Sequence, residues 1–273
     1  MHGFTLLPQR GVLAVGGADA VAFLNDLLTN DVSATETRYA LLLTPQGKFL
    51  HDMFVVPTKD ALLIDCEGAR LPDLQQRLQR YKLRRAVTIY DVTADYAVVA
   101  IAPAVALEAP AAHVFTDLRH RGLGQRAVVA RDWLPDLKAR CLALGLTETT
   151  PEAYDLHRLS VGVPDGSYDL EVERAFPMDY GMDAFNAINF GKGCYVGQEL
   201  TARMKYRGLV KKQLVRVSSS APLPAFGTPV MAGENDAGMM CSSHGAAGLA
   251  LLRTEYAEQP LTCAGTPLTR VKD

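Results

Sequence analysis

Asn189-Phe190-Gly191-Lys192-Gly193-Cys194-Tyr195-Val196-Gly197-Gln198-Glu199 is the stretch on which the reading of this chain turns. Three glycines within seven residues make a backbone that reaches positive φ or approaches a neighbour closely. A single cysteine stands among them, one residue after Gly193 and two after Lys192. Glycine flanks give access to the sulfur, and a nearby ammonium favours thiolate over thiol. A helix beginning just beyond would add backbone donors. Such a thiol reacts, or binds metal. The opposing reading is that a free cysteine is by default a small buried apolar residue. No histidine motif stands beside it, and a cysteine hydrolase would need His157 or another histidine brought near by the fold. On the residues alone both readings stay open.

Moving outward, the chain alternates between strand and helix patterns. Phe4 to Leu7 and Val12 to Val15 read as short strands around Pro8 and Gly11. Ala20, Phe23, Leu24, Leu27 and Leu28 then form one face of an amphipathic helix, with Asp19 near its positive end. Tyr39 to Leu43 is a strand, Thr44-Pro45-Gln46-Gly47 a turn, and Phe49 to Val56 with Ala61 to Ile64 a hairpin. A second helix carries Leu71, Leu74, Leu78 and Tyr81 on one side, with Pro72 in its first turn. Val87 to Tyr90 and Ala97 to Ile101 are strands again, which makes the region α+β. The Ala- and Pro-rich run from Ala102 to Ala112 reads as a loop. Helices follow at Leu134 to Leu144, ending at Gly145, and at Pro151 to Val161. From Lys211 onward the pattern changes to short strands with Gly and Pro turns, the mark of a small β-barrel or sandwich, and a domain boundary falls near Gly208.

The 273 residues suffice for one large domain or two to three small ones. A net charge of -2 lacks the basic excess of a nucleic-acid binder. The most apolar run, Ala97 to Leu107, is interrupted by Pro103 and too short to span a bilayer. The start shows no secretory pattern, so the expectation is a cytoplasmic protein without membrane attachment. Five cysteines without a C-x-x-C pair argue against a disulfide framework. A closed metal site would need distant cysteines to converge. Trp133, the one tryptophan, is expected to be structural.

Lys192-Gly193-Cys194-Tyr195-Val196-Gly197-Gln198-Glu199 resembles the K-G-C-[YF]-x-G-Q-E signature of the YgfZ family, folate-binding relatives of the glycine-cleavage T-protein that support iron–sulfur enzymes. The following Thr201-Ala202-Arg203-Met204-Lys205-Tyr206-Arg207-Gly208 is similar to that family's continuation. Gly17-Ala18-Asp19-Ala20, Phe23-Leu24, Thr29-Asn30-Asp31-Val32, Thr44-Pro45-Gln46-Gly47-Lys48 and Ala247 to Arg253 extend the likeness over most of the chain. The resemblance implies an α+β, GcvT-like architecture of three modules around a central cleft. Residues 1–46 with 146–207 would form a discontinuous first module carrying Cys194. Residues 47–145 would be an inserted second α+β module, and residues 208–273 a C-terminal β-barrel. It also implies tetrahydrofolate or a derivative as ligand, no stably held metal, and iron–sulfur assembly or carrier proteins and client enzymes as partners. Cys194 would be the functional thiol and a transient iron ligand. Lys192, Gly193, Tyr195, Gln198, Glu199, Arg203 and Arg207 would contact the folate.

Two departures separate this chain from the T-protein, an aminomethyltransferase. The acidic pair after the first hairpin turn reads His51-Asp52 here, leaving Asp52 as the one candidate acid. The helical R-L-E-x-G reads Arg158-Leu159-Ser160-Val161-Gly162. A hydroxyl does not match the two-point pairing of a carboxylate with pterin donors. The expected function is therefore an accessory role in making or repairing four-iron clusters, with a folate-dependent one-carbon transferase using Asp52 as the alternative. Lys205, Arg207, Lys211 and Lys212 form a basic run that is either a solvated face or a seat for a ligand's carboxylate.

Overall fold

The computed structural model describes residues 1–272. Two compact units emerge. One comprises Met1–Leu43, His51–Tyr154 and Asn186–Val196; the other comprises Thr44–Leu50, Asp155–Phe185 and the chain from Gly197 onward. In chain order the elements are β1 (Gly3–Leu6), β2 (Arg10–Gly16), α1 (Ala20–Leu27), β3 (Arg38–Leu43), β4 (Phe49–Pro57), β5 (Leu62–Glu67), α2 (Leu71–Lys82), β6 (Thr88–Asp91) and β7 (Tyr96–Ala102). They continue with β8 (Ala112–Thr116), β9 (Gln125–Ala130), α3 (Leu134–Ala143), β10 (Thr147–Glu148), α4 (Pro151–Ser160), α5 (Gly166–Asp169) and α6 (Gln198–Tyr206). The last six strands are β11 (Lys212–Ser218), β12 (Pro229–Ala232), β13 (Asn235–His244), β14 (Ala247–Arg253), β15 (Leu261–Cys263) and β16 (Thr266–Val271).

The first unit is built on two five-stranded sheets, in the orders β10-β1-β7-β9-β8 and β3-β4-β5-β2-β6. Strand β1 pairs antiparallel with β7 and parallel with β10. Behind the first sheet, Leu137 and Cys141 of α3 close a core with Phe4, Val99, Ile101 and Val129. Trp133 packs at its margin, with the Arg140 guanidinium 5.3 Å from its ring, which is the structural role expected of it. On the second sheet, α2 buries Leu71, Leu74 and Leu78 as its periodicity requires. Pro72 and Asp73 sit in its first turn, and Arg80 and Lys82 in its last, the arrangement the helix dipole favours. Tyr81 departs from the expected face and is 40% exposed. The helix stops one residue later, and Leu83 turns the chain out at φ 51.

The expected loop between Ala102 and Ala112 holds, but it leads into β8 and β9, two strands that the sequence pattern did not reveal. In the second unit β11 to β16 close into a six-stranded barrel, in the order β11-β14-β13-β12-β15-β16. Inward-facing Val215, Val217, Val230, Ala250, Leu252 and Leu261 are among the residues that fill it. The barrel strands begin at Lys212, one residue beyond the change of pattern at Lys211. Thr44 to Lys48 make the predicted tight turn, with Gly47 at φ 73. A Cβ on Gly47 would lie 3.1 Å from the Gly197 carbonyl oxygen, so the turn needs glycine for its conformation and for its close approach to the start of α6.

Strand β4 is buried along nearly its whole length, so both of its faces are covered. Successive side chains of a strand point to opposite faces. His51 points toward α2, where its Nε2 lies 2.8 Å from Asp73 Oδ2. Asp52 points the other way, toward β3. Burial lowers the His51 pKa from 6.5 to about 4, against the pull of Asp73, so the ring is neutral near neutrality and donates its Nε2 proton. Between pH 6.5 and 4 the unfolded chain takes up a proton at this residue and the folded chain does not. Stability should therefore fall as the pH drops through that window, by up to about 3 kcal/mol from this group. Urea denaturation of wild type and His51→Gln across pH 4 to 7 measures it; the wild type should lose more stability than the variant.

Candidate functional site

Cys194 is exposed, whereas Cys66, Cys141, Cys241 and Cys263 are buried. Burial pushes the Cys66 thiol up to about 12 and raises those of Cys141, Cys241 and Cys263 as well. Four of the five sulfurs are thus held as inert thiols inside the protein, and one faces solvent.

The segment leading to Cys194 is seated on the C-terminal end of α1. Helix ends leave backbone carbonyls without intrahelical partners. The Lys192 ammonium reaches three carbonyls there, of Asn25 at 2.7 Å, Leu28 at 2.7 Å and Asn30 at 2.9 Å. Its charge also suits the negative end of the helix. Burial lowers the Lys192 pKa to about 8, while Asp31 and Asp26 hold it up. The same ammonium lies 5.4 Å from the centre of the Tyr195 ring, which is itself buried. The ammonium expected beside the thiol is therefore committed to backbone carbonyls, and its task here is to anchor the loop.

Thr29 and Asn30, directly after α1, complete the seat. Thr29 Oγ1 donates to the Ala187 carbonyl at 2.6 Å and accepts from the Leu41 amide at 2.8 Å. The Asn189 amide donates to the Thr29 carbonyl at 2.9 Å. Asn30 Nδ2 donates to both the Tyr39 and Asn186 carbonyls, at 2.9 and 2.8 Å. Gly191 is held by its amide on Asn189 Oδ1 at 2.8 Å. Gly193 meets nothing within 4 Å of where a Cβ would stand, so it serves openness rather than close packing.

Lys192, Gly193, Cys194 and Tyr195 belong to the first unit, and Gln198, Glu199, Arg203 and Arg207 to the second. Gly197 enters α6 in the left-handed region at φ 85, and Gln198 is the first helical residue. Glu199 lies in the first turn and faces Arg203 at 3.6 Å, both well exposed. Such a pair is worth only a few tenths of a kcal/mol. Arg207 follows the helix as its exposed C-cap. Lys205 pairs with Asp183 at 2.6 Å. Ser160 donates its hydroxyl to the His157 carbonyl at 2.6 Å, and its own carbonyl accepts from Arg216 at 2.6 Å.

Asp52 is buried, and its Oδ2 accepts the Tyr39 hydroxyl at 2.9 Å. Burial and this carboxylate push the Tyr39 phenol well above its usual range. Close by is a buried charge network that sequence reasoning missed. Asp65 accepts from Arg10 at 2.6 Å and Arg126 at 2.9 Å. Asp117 accepts a two-point pairing from Arg119, at 3.0 and 2.8 Å. The Tyr154 oxygen receives Arg119 at 2.7 Å and Arg126 at 2.9 Å. Burial opposes the charge on Asp117, but Arg119 holds its carboxyl below the usual range. The Arg126 guanidinium lies 4.6 Å from the centre of the Phe54 ring. The available signal was a charge inside an apolar strand, as in Leu62-Leu63-Ile64-Asp65-Cys66. Among the described residues no three His, Cys, Asp or Glu side chains gather into a metal-holding set.

Comparison with known proteins places this geometry. Residues 9–123 match the GCVT N-terminal domain, and residues 211–272 match the CAF17 C-terminal beta-barrel domain. The mitochondrial iron–sulfur cluster assembly factor IBA57 of Homo sapiens is 32% identical to the chain, over 93% of the chain and 78% of that protein. The Mus musculus protein of the same name is 31% identical over the same shares. A homolog in Mycosarcoma maydis is 32% identical over 80% of the chain, which spans only 58% of that longer protein. Among solved structures, the glycine cleavage system aminomethyltransferase T of Bartonella henselae superposes with a TM-score of 0.78 over 99% of the chain and 85% of that protein, at 15% identity. The fold is therefore GcvT-like, with a closed six-stranded C-terminal barrel. The expectation of a cytoplasmic protein does not stand, because these IBA57 relatives are named as mitochondrial.

Replacing Lys192 by methionine keeps the length of the stem and removes all three donors. It leaves carbonyls at the end of α1 without partners, at an expected cost of about 2–4 kcal/mol. Urea denaturation measures this, and hydrogen exchange should show faster opening of residues 186–195 in the variant.

Proposed function

The chain belongs to the family of the iron–sulfur cluster assembly factor IBA57, and on that premise we propose that it is an accessory factor in assembling or repairing iron–sulfur clusters, above all the four-iron type, and that it acts through Cys194. The observation that carries this reading is the exposure of that one sulfur on an anchored loop while the other four are buried. The cluster is cargo. One thiolate per chain does not fill the four-ligand shell usual for a cluster. A carrier protein, a second chain or a small thiol supplies the remaining ligands, and the purified protein alone should not retain a stoichiometric cluster. The partners are accordingly iron–sulfur carriers and client enzymes. Kinship with the YgfZ family, drawn from Lys192 to Glu199, belongs to the same reading.

A reduced folate is the small ligand that this reading brings with it. Ser160 stands where the T-protein presents a carboxylate, and its hydroxyl is already given to the His157 carbonyl. The two-point pairing of an acid with the pterin is missing at that position, so the reading assigns the folate no chemical step. Asp52, held beneath the Tyr39 hydroxyl, gives the transferase alternative no exposed acid.

The test is the activity of a four-iron enzyme in cells lacking this protein, rescued with wild type or Cys194→Ser at equal soluble levels. Recovery with wild type alone is the expected result. Equal recovery with both would remove Cys194 from the chemistry, and the lack of any defect to rescue would overturn the assembly role.

A further inference from the structure

The second unit holds a cavity of about 550 Å³ that the Cys194 reading does not use. That volume lies in the range of pockets that enclose small molecules. Its walls are apolar, formed by Phe176, Leu200, Met204, Met239 and Leu251. Tyr180, only 2% exposed, also lines it.

The charges on the lining are unequally committed. Glu171 is paired with Arg174 at 2.7 Å. Asp179 faces the charge of Lys212 and accepts from the backbone amides of Lys211 and Lys212. Neither lysine ammonium forms an ion pair among the described residues, and both residues line the cavity. Two acids and three basic side chains ring the apolar chamber, which leaves its lining with one net positive charge. Leu209, 43% exposed, is also part of the lining.

We propose that this cavity is a binding site for a small amphiphile, its apolar body among Phe176, Met204 and Met239 and its carboxylate or phosphate on Lys211 and Lys212. The site is separate from Cys194 and from the folate proposed above.

The full chain is titrated with 8-anilinonaphthalene-1-sulfonate, followed by fluorescence, and in parallel with N-phenyl-1-naphthylamine, which has the same rings without the anion. Saturable one-to-one binding of the sulfonate, about tenfold tighter than the neutral probe, is expected. The double variant Lys211→Gln with Lys212→Gln should erase that preference, and Leu209→Trp should block both probes. Both variants alter exposed residues, and an unchanged far-ultraviolet spectrum and thermal midpoint verify folding. Equal affinity for the two probes, or sulfonate binding unmoved by Leu209→Trp, overturns the proposal. Displacement of the sulfonate by tetrahydrofolate would make this the folate's own site and overturn the claim of a separate one.

Discussion

The candidate site depends on one ammonium group. Lys192 reaches back across the first unit to close the C-terminal end of α1, taking the Asn25 and Leu28 carbonyls there and that of Asn30 just beyond. A flexible side chain with three donors and a full charge suits that task, whereas a planar guanidinium would fit three converging oxygens poorly. With Lys192 fixed, the chain on either side of it is fixed as well. Thr29 and Asn30 hold the approach from Asn186 to Asn189, and Tyr195 is buried on the far side. Between these anchors Gly191, Gly193 and Cys194 are exposed, so the loop is at once restrained and open at the sulfur.

A second device, in the same unit, is the set of buried charges around Asp65, Asp117 and Tyr154. Buried ion pairs add little net stability, but losing one partner is expensive, about 3–5 kcal/mol, because the other is left uncompensated. Arg10 comes from β2, Asp65 from β5, Arg126 from β9 and Tyr154 from α4. The network therefore links elements of both five-stranded sheets of this unit through directional bonds, where an apolar core would permit sliding. In the second unit the fully buried Asp169 plays a similar part, accepting from Arg158 at 3.1 Å and from the Ser242 amide of the barrel at 2.6 Å.

What the sequence disclosed follows from the range of the interactions involved. The faces of α1 and α2, the turn at Thr44 to Gly47 and the β-rich tail rest on neighbours a few residues apart, and periodicity and turn chemistry report them. The exposure of Cys194 was consistent with its glycines but not decided by them. Lys192 was legible only as a charge near a thiol, because its carbonyl partners lie 162 to 167 residues away. Strands β8 and β9 follow an Ala- and Pro-rich stretch that masks their start. The arginines of the buried network drew no reading, since nothing local marks a guanidinium that will be enclosed. Tyr81 fits the apolar face of α2 by spacing, yet it lies outside the core because the helix ends at Lys82.

The central claim is that this fold offers one cysteine to solvent and withholds four. Brief alkylation of the native full chain with iodoacetamide, read by peptide mass spectrometry, tests it most directly. The account predicts one label per chain, on Cys194, with Cys66, Cys141, Cys241 and Cys263 labelled only after unfolding. Labelling of any of those four at a comparable rate, or a native Cys194 that resists the reagent, would contradict it.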